Sequence, residues 1–280
     1  DFDYSNIRPK GAYISGGFKA PGHEGLKNSL TKIQELLDRE INGNVQIPLK
    51  SIIAYDIVMY MADAVLSGGV RRSATICLFS ATDNDMLNAK TGDWYIKNPQ
   101  RGRSNNSVIL IRDKTSKELF SKIMESVKSW GEPGFVWSTN EDIIYNPCVE
   151  IGMTPYYIDD QNNKISGWEG CNLTEINGSK CNTEQEFYDA CKASAILGTL
   201  QAGYTDFKYV TDITKKIFDR EALLGCSITG FMNNPTILFN PNIQKKGAEI
   251  IKETNKIIAN LIGINQAART TCVKPSGNAS

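Results

Sequence analysis

The sequence predicts an α/β fold, and three observations carry that prediction. Short β-branched runs recur along the chain: "ATICLFS", "SVILIR", "GFVW" and "CSITGF". Between them lie stretches whose apolar residues return at the helical period. The two kinds of segment alternate from one end to the other, the pattern of strands joined by crossover helices.

Taken in order, residues 1–28 hold a glycine-rich loop, "GAYISGGFKAPGHEG". "SLTKIQELLDREI" follows as a helix with Leu30, Ile33, Leu37 and Ile41 on one face. "SIIAYDIVMYMADAVL", residues 51–66, reads as a buried helix that Gly68 and Gly69 terminate. "VRRSATICLFS" and "SVILIR" are strands. The polar stretch between them reads as a solvated connection in which Asn105 and Asn106 turn the chain. "KELFSKIMESVKSW" is an amphipathic helix stopped by "GEPG", and "GFVW" is a short strand. After residues 143–151 a polar excursion, "DDQNNKISGWEG", leads to Cys171. "EQEFYDACKASAILGTLQAG" is a long helix with a capping signal at Thr183. "CSITGF" and "TTCVK" are strands flanking a helix near 243–262.

Composition sets the outer bounds. The chain has 280 residues, 41% hydrophobic and 22% charged, enough for one large domain or two small ones. Its 31 basic and 31 acidic residues cancel, so it lacks the basic footprint of a nucleic-acid binder. No apolar run reaches the roughly 18 residues of a membrane helix, because Asp56 and Asp63 interrupt the most apolar one. No signal peptide is recognisable, and the expected location is the cytoplasm. The seven cysteines are odd in number and form no C-x-x-C pair, which points to reduced thiols rather than a disulfide scaffold. Cys77, Cys181, Cys191, Cys226 and Cys272 lie beside apolar residues and read as packing. With His23 as the single histidine, a zinc site or a Cys–His nucleophile has little to work with, and no metal ligands are assigned.

One stretch resists a packing interpretation. In "YNPCVEI", residues 145–151, Asn146, Cys148 and Glu150 alternate, and in an extended chain they would share a face. A core strand would not alternate a thiol with two polar residues. A thiol beside a carboxylate suits hydrogen-atom chemistry, in which a thiyl radical removes a hydrogen while the carboxylate takes a proton from the adjacent hydroxyl.

"NPCVEI" resembles the N-x-C-x-E finger-loop motif of ribonucleotide reductases, and further resemblances follow in order. "IRPKGAYISGG" is similar to the glycine-rich segment before the family's specificity loops, and "LSGGVRRSATICLFS" to the second such loop with its strand. "NPQRGRSNNSVIL", "EGCNLTEIN", "LGCSITGFM" and "CVKPSGNAS" are similar to later segments, the last to a substrate-phosphate loop. The "GGVRRSA", "SNNS" and "KPSG" forms look most like the adenosylcobalamin-dependent (class II) enzymes.

The resemblance implies a ten-stranded α/β barrel with a central finger loop at about 143–153, incompletely represented over residues 1–280. It implies reduction of ribonucleotides to deoxyribonucleotides with adenosylcobalamin as cofactor. Cys148 would carry the thiyl radical, Glu150 would take the 3′-hydroxyl proton, and Asn146 would hold the ribose hydroxyls. Cys171 would be one of two reducing cysteines. Pro275, Ser276, Gly277, Asn278, Ala279 and Ser280 would bind substrate phosphates through backbone N–H groups at a helix start. Gly69, Val70, Arg71, Arg72 and Ser73 would form an effector or specificity loop reading dNTP or ATP. The family's partner for Cys171 lies upstream of the glycine-rich segment. The chain therefore reads as an internal or split piece, with further polypeptide completing the barrel and a thioredoxin-like reductant. The alternatives are a class I large subunit with a separate radical-generating subunit, another radical enzyme on the same barrel, and a non-catalytic nucleotide-binding or assembly fragment.

Overall fold

The computed structural model describes residues 2–14, 17–44, 46–65 and 74–274. The effector-loop residues Gly69–Ser73 and the phosphate-loop residues Pro275–Ser280 lie outside the described residues. The sequence places one barrel domain over residues 1–280, and the described residues pack as two compact units, Asp1–Glu141 and Asp142–Ser280.

The first unit opens with helices α1 (Glu24–Ile41) and α2 (Ser51–Val65), which pack on one another. Leu36 rather than Ile41 completes the inner stripe of α1, since Ile41 sits at the frayed end before the left-handed Asn42. Strand β1 (Thr75–Ser80) leads through the short helices α3 (Asn84–Leu87) and α4 (Trp94–Lys97) into β2 (Ser104–Ile111). Helix α5 (Lys117–Trp130) then returns the chain to β3 (Gly134–Ser138). The three strands form a parallel sheet in the order β1-β2-β3, as right-handed strand–helix–strand crossovers require. Helix α5 starts where Ser116 accepts the Leu119 N–H and stops at left-handed Gly131.

Two sequence readings change here. Asp56 does not merely interrupt an apolar run: buried on α2, it takes a two-point ion pair from Arg101 at 2.8 and 2.6 Å and a hydrogen bond from Gln100. Asn105 and Asn106 do not turn the chain but lie on β2, where buried Asn106 accepts hydrogen bonds from Tyr55 and Ser104. Cys77 packs in this unit's core, and burial pushes its thiol up to about 11.

The second unit begins with a small hairpin, β4 (Ile144–Tyr145) against β5 (Gly152–Met153). A second hairpin pairs β6 (Tyr156–Ile158), just before the stretch that reads as a polar excursion, with β7 (Lys164–Ser166) inside it. Strand β8 (Asn172–Asn177) follows, then α6 (Glu184–Ala202), α7 (Asp212–Glu221), β9 (Leu224–Thr229), α8 (Pro235–Leu238) and α9 (Pro241–Ile262). Helix α6 begins with the predicted capping box: Thr183 accepts the Glu186 N–H, and Glu186 reaches back to the Thr183 N–H.

Strands β8 and β9 pair in parallel, and residues 269–272 run alongside β9 through the Cys226–Thr271 bridge. Helices α6 and α9 cover one face of this small sheet, with Phe187, Cys191, Leu224, Cys226 and Ile251 in the core between. Asn255 ties the layers together: its amide donates to Thr199 at 2.9 Å and its oxygen accepts the Ala267 N–H at 3.0 Å. That fixes the turn from which residues 269–272 set out along β9.

Candidate active site

The residues 146–151 form a closed turn at the tip of the β4–β5 hairpin. Val149 donates its N–H to the Asn146 carbonyl at 2.8 Å, and Asn146 donates its own to the Ile151 carbonyl at 3.3 Å. The Asn146 side-chain oxygen accepts the Ile151 N–H at 3.1 Å. Val149 has φ 65°, a left-handed conformation that β-branched residues rarely adopt. This overturns the extended geometry the alternation suggests, so Asn146, Cys148 and Glu150 do not simply share a strand face.

The turn separates their environments. Cys148 is exposed at the tip and Asn146 is buried beneath it. Glu150 presents both carboxylate oxygens to the interior, where neither reaches solvent nor finds a hydrogen-bond partner among the described residues. A buried carboxylate without a partner costs several times what a satisfied one does, so such groups call for a functional reason.

The uncovered face of the small sheet supplies the surroundings. Paired residues of neighbouring strands point the same way, so Leu173 and Gly225 share this face, on which the Cys272 sulfur also lies. Cys171, immediately before β8, packs with Leu173 and Cys272 around Ile151, Met153 and Leu223. Burial first, then the charges of Glu150 and Glu169, push the Cys171 thiol up to about 11, against the pull of Lys274. The Cys272 thiol is held at about 11 by burial, Glu150 and the neighbouring sulfurs. Cys272, read from the sequence as packing, therefore sits half-buried in the surroundings of Cys171 and Glu150. Cys181, Cys191 and Cys226 are buried packing residues as expected. Lys274 donates its N–H to Ser227 and lies 4.0 Å from Glu175, ahead of the phosphate-loop residues.

Glu169 belongs to this arrangement and escapes sequence reasoning. Its carboxylate accepts the Thr154 N–H at 2.5 Å, joining the exit of the β4–β5 hairpin to the segment before Cys171. Burial raises its pKa to about 7, with Glu221 adding to the rise and Thr154 and Arg220 opposing it. The available signal is spacing: Glu169 stands two residues from Cys171, as Glu150 stands two from Cys148. A cavity of about 430 Å³ opens beside the loop, lined by Tyr145, Glu150, Ile151, Thr154, Glu221 and Arg269 among others. That volume falls in the range of small-molecule sites.

The fold matches part of that of a class II ribonucleotide reductase. It superposes on a crystal structure of a B12-dependent (class II) ribonucleotide reductase with a TM-score of 0.72 at 22% identity, over 98% of this chain and 41% of that one. Among curated proteins the chain is similar to a probable adenosylcobalamin-dependent ribonucleoside-triphosphate reductase of Dictyostelium discoideum, 27% identical over 307 residues. It is 26% identical over 313 residues to the adenosylcobalamin-dependent ribonucleoside-triphosphate reductase of Lactobacillus leichmannii, and 25% over 310 residues to that of Euglena gracilis. These alignments take in 98 to 100% of this chain and only 37 to 40% of the relatives, so the chain spans about two fifths of their length. No family model matches it. The resemblance drawn from the motifs is borne out by these relatives.

Proposed function

We propose that the chain is part of a class II ribonucleotide reductase, an oxidoreductase that converts ribonucleoside triphosphates to deoxyribonucleotides, and that it carries the finger loop of the active site. The observation that supports this most is Glu150, whose two buried carboxylate oxygens have no partner among the described residues, two residues from an exposed thiol on a closed loop. A ribose hydroxyl would satisfy that carboxylate. In this reading the chain contributes strands to both halves of the ten-stranded barrel, and residues 143–153 are its finger loop.

The chemistry assigned to the residues is as follows. The sulfur of Cys148, as a thiyl radical, takes the 3′-hydrogen of the ribose, and Glu150 accepts the 3′-hydroxyl proton. The 2′-oxygen leaves as water. Two thiols, one of them Cys171, supply the electrons and end as a disulfide. Burial keeps Cys171 protonated at neutral pH, which suits a thiol that must deliver hydrogen rather than act as a nucleophile. Asn146 closes the loop through its side-chain oxygen, which Ile151 engages, and its side-chain amide N–H group is left to hold the ribose hydroxyls. A thioredoxin-like protein would restore the dithiol, the effector loop would read dNTP or ATP, and further polypeptide would complete the barrel.

The relatives' cofactor, adenosylcobalamin, is carried over as the radical source, and it favours class II over a class I large subunit. Nothing among the described residues marks its site. No group of His, Cys, Asp and Glu there could hold a metal ion, and His23 stacks on Tyr4 at 5.4 Å. No step is therefore derived through it.

The test is turnover by the reductase that carries this chain, given adenosylcobalamin, a dithiol and a ribonucleoside triphosphate. Deoxynucleotide formation that needs both reagents supports the reading. Formation that ignores adenosylcobalamin and needs a second, radical-generating subunit would replace it with class I.

A further inference from the structure

Gly225 lies on β9 opposite Leu173, and a Cβ there would force a neighbouring side chain to shift. A Cβ built on it would come within 2.7 Å of Ile151 Cδ1, 2.6 Å of Leu173 Cδ2 and 3.1 Å of the Cys272 sulfur. Gly225 has no positive φ, so the backbone does not demand glycine; the space does. Ile151 is the residue that brings the finger loop down onto the strand, and it is 5% exposed while Cys148 and Val149 stay outside.

We propose that Gly225 is a positioning residue: the missing side chain is the seat into which Ile151 drops, and this contact sets the depth of the loop that carries Cys148 and Glu150. The three side chains that meet at the seat are not equally free to yield. Leu173 belongs to a strand paired with β9 over six residues. Cys272 is tethered by its N–H to the Cys226 carbonyl at 3.1 Å. Ile151 belongs to a hairpin paired over two residues only. A methyl group at position 225 therefore displaces the loop before it displaces the strands. The geometric claim stands on packing alone; its consequence for turnover rests on the function proposed above.

The experiment compares Gly225→Ala, Gly225→Ala with Ile151→Val, and Gly225→Ala with Leu173→Val, in the complete protein that carries this chain. Two readouts are independent of the reaction: amide exchange at Ile151, whose N–H is held by Asn146, and the alkylation rate of Cys148. Gly225→Ala is expected to speed exchange at Ile151 and to lower kcat by roughly a hundredfold, the scale of an ångström-size misplacement, with KM unchanged. Ile151→Val, which removes the Cδ1 atom, restores both, and Leu173→Val does not. Rescue by Leu173→Val alone, or unaltered exchange at Ile151 in Gly225→Ala, would overturn the proposal. Altered exchange with unaltered turnover would keep the seat and reject the function assigned to the loop. Should Gly225→Ala fail to fold, Ile151→Ala tests the same contact from the loop side: faster exchange confined to 146–151 supports the seat, and unaltered exchange refutes it.

Discussion

Asn146 and Ile151 hold the 146–151 turn shut from both sides of one residue pair. The Ile151 carbonyl accepts the Asn146 N–H at 3.3 Å, and the Asn146 side-chain oxygen accepts the Ile151 N–H at 3.1 Å. Asn146→Ala should leave the Ile151 N–H buried and unsatisfied, at a cost of about 1–3 kcal/mol. Asn146→Asp keeps an acceptor in place and should cost less. Denaturant unfolding of the two variants checks the order; equal stability of Asn146→Ala and the parent would show that the side chain does not close the loop.

Val149 bears on the same turn. A left-handed β-branched residue costs roughly 1–2 kcal/mol relative to its preferred conformation. Gly relieves that strain but gives the unfolded chain about 0.5–1 kcal/mol of extra freedom. Val149→Gly should therefore be neutral or stabilising by up to about 1.5 kcal/mol, although Val→Gly within a strand destabilises. A shift of the unfolding midpoint in the destabilising direction would contradict it.

The cysteines should separate by environment. Cys148 is exposed, whereas burial and neighbouring carboxylates hold Cys171 and Cys272 at about 11. Brief alkylation at about pH 8 followed by peptide mass spectrometry should label Cys148 first and leave the other two, because only the thiolate reacts. Equal labelling of Cys171 would place it outside the buried cluster. Cys77→Ala should show a packing effect only, about 1 kcal/mol.

Glu169 gives the pH dependence a sign. Its folded pKa of about 7 lies above the ordinary 4.5, so between those values the folded chain holds more protons than the unfolded one. Its contribution to stability is complete below about pH 4.5 and is lost as pH rises through about 7. Glu169→Gln keeps an oxygen for the Thr154 N–H and removes the titration. It should flatten the fall of the melting temperature across that window and leave the protein more stable than the parent above it. An unchanged slope would show that the carboxyl is not held neutral.

What the sequence made legible was local or motif-borne. The α5 and α6 boundaries could be read because their signals, Ser116, Gly131 and the Thr183–Glu186 box, lie within a turn of the helix ends. The β6–β7 hairpin and α7 could not. They are short, and their burial comes from packing on each other, with Ile213, Ile217 and Phe218 closing on Gly167 and Gly170. The motif points to Asn146, Cys148 and Glu150 but not to the way they face, because a left-handed Val149 is not written in residue type. Cys272 joins the site only through tertiary contacts, which nothing in "TTCVK" reveals, and for Glu169 the two-residue spacing from Cys171 is a signal that does not show its bond to Thr154.

The account rests on Cys148 as the hydrogen-atom relay, and the Cys148→Ser variant of the reductase that carries this chain tests it most directly. An alcohol O–H bond is too strong to serve in place of the thiol, and the substitution removes one atom's identity without disturbing a buried contact, since the residue is exposed at the loop tip. Deoxynucleotide formation measured with adenosylcobalamin and a dithiol should vanish, while nucleotide binding measured by calorimetry stays within about twofold, a change of under ~0.5 kcal/mol. Sustained deoxynucleotide formation by the Ser variant would contradict the account.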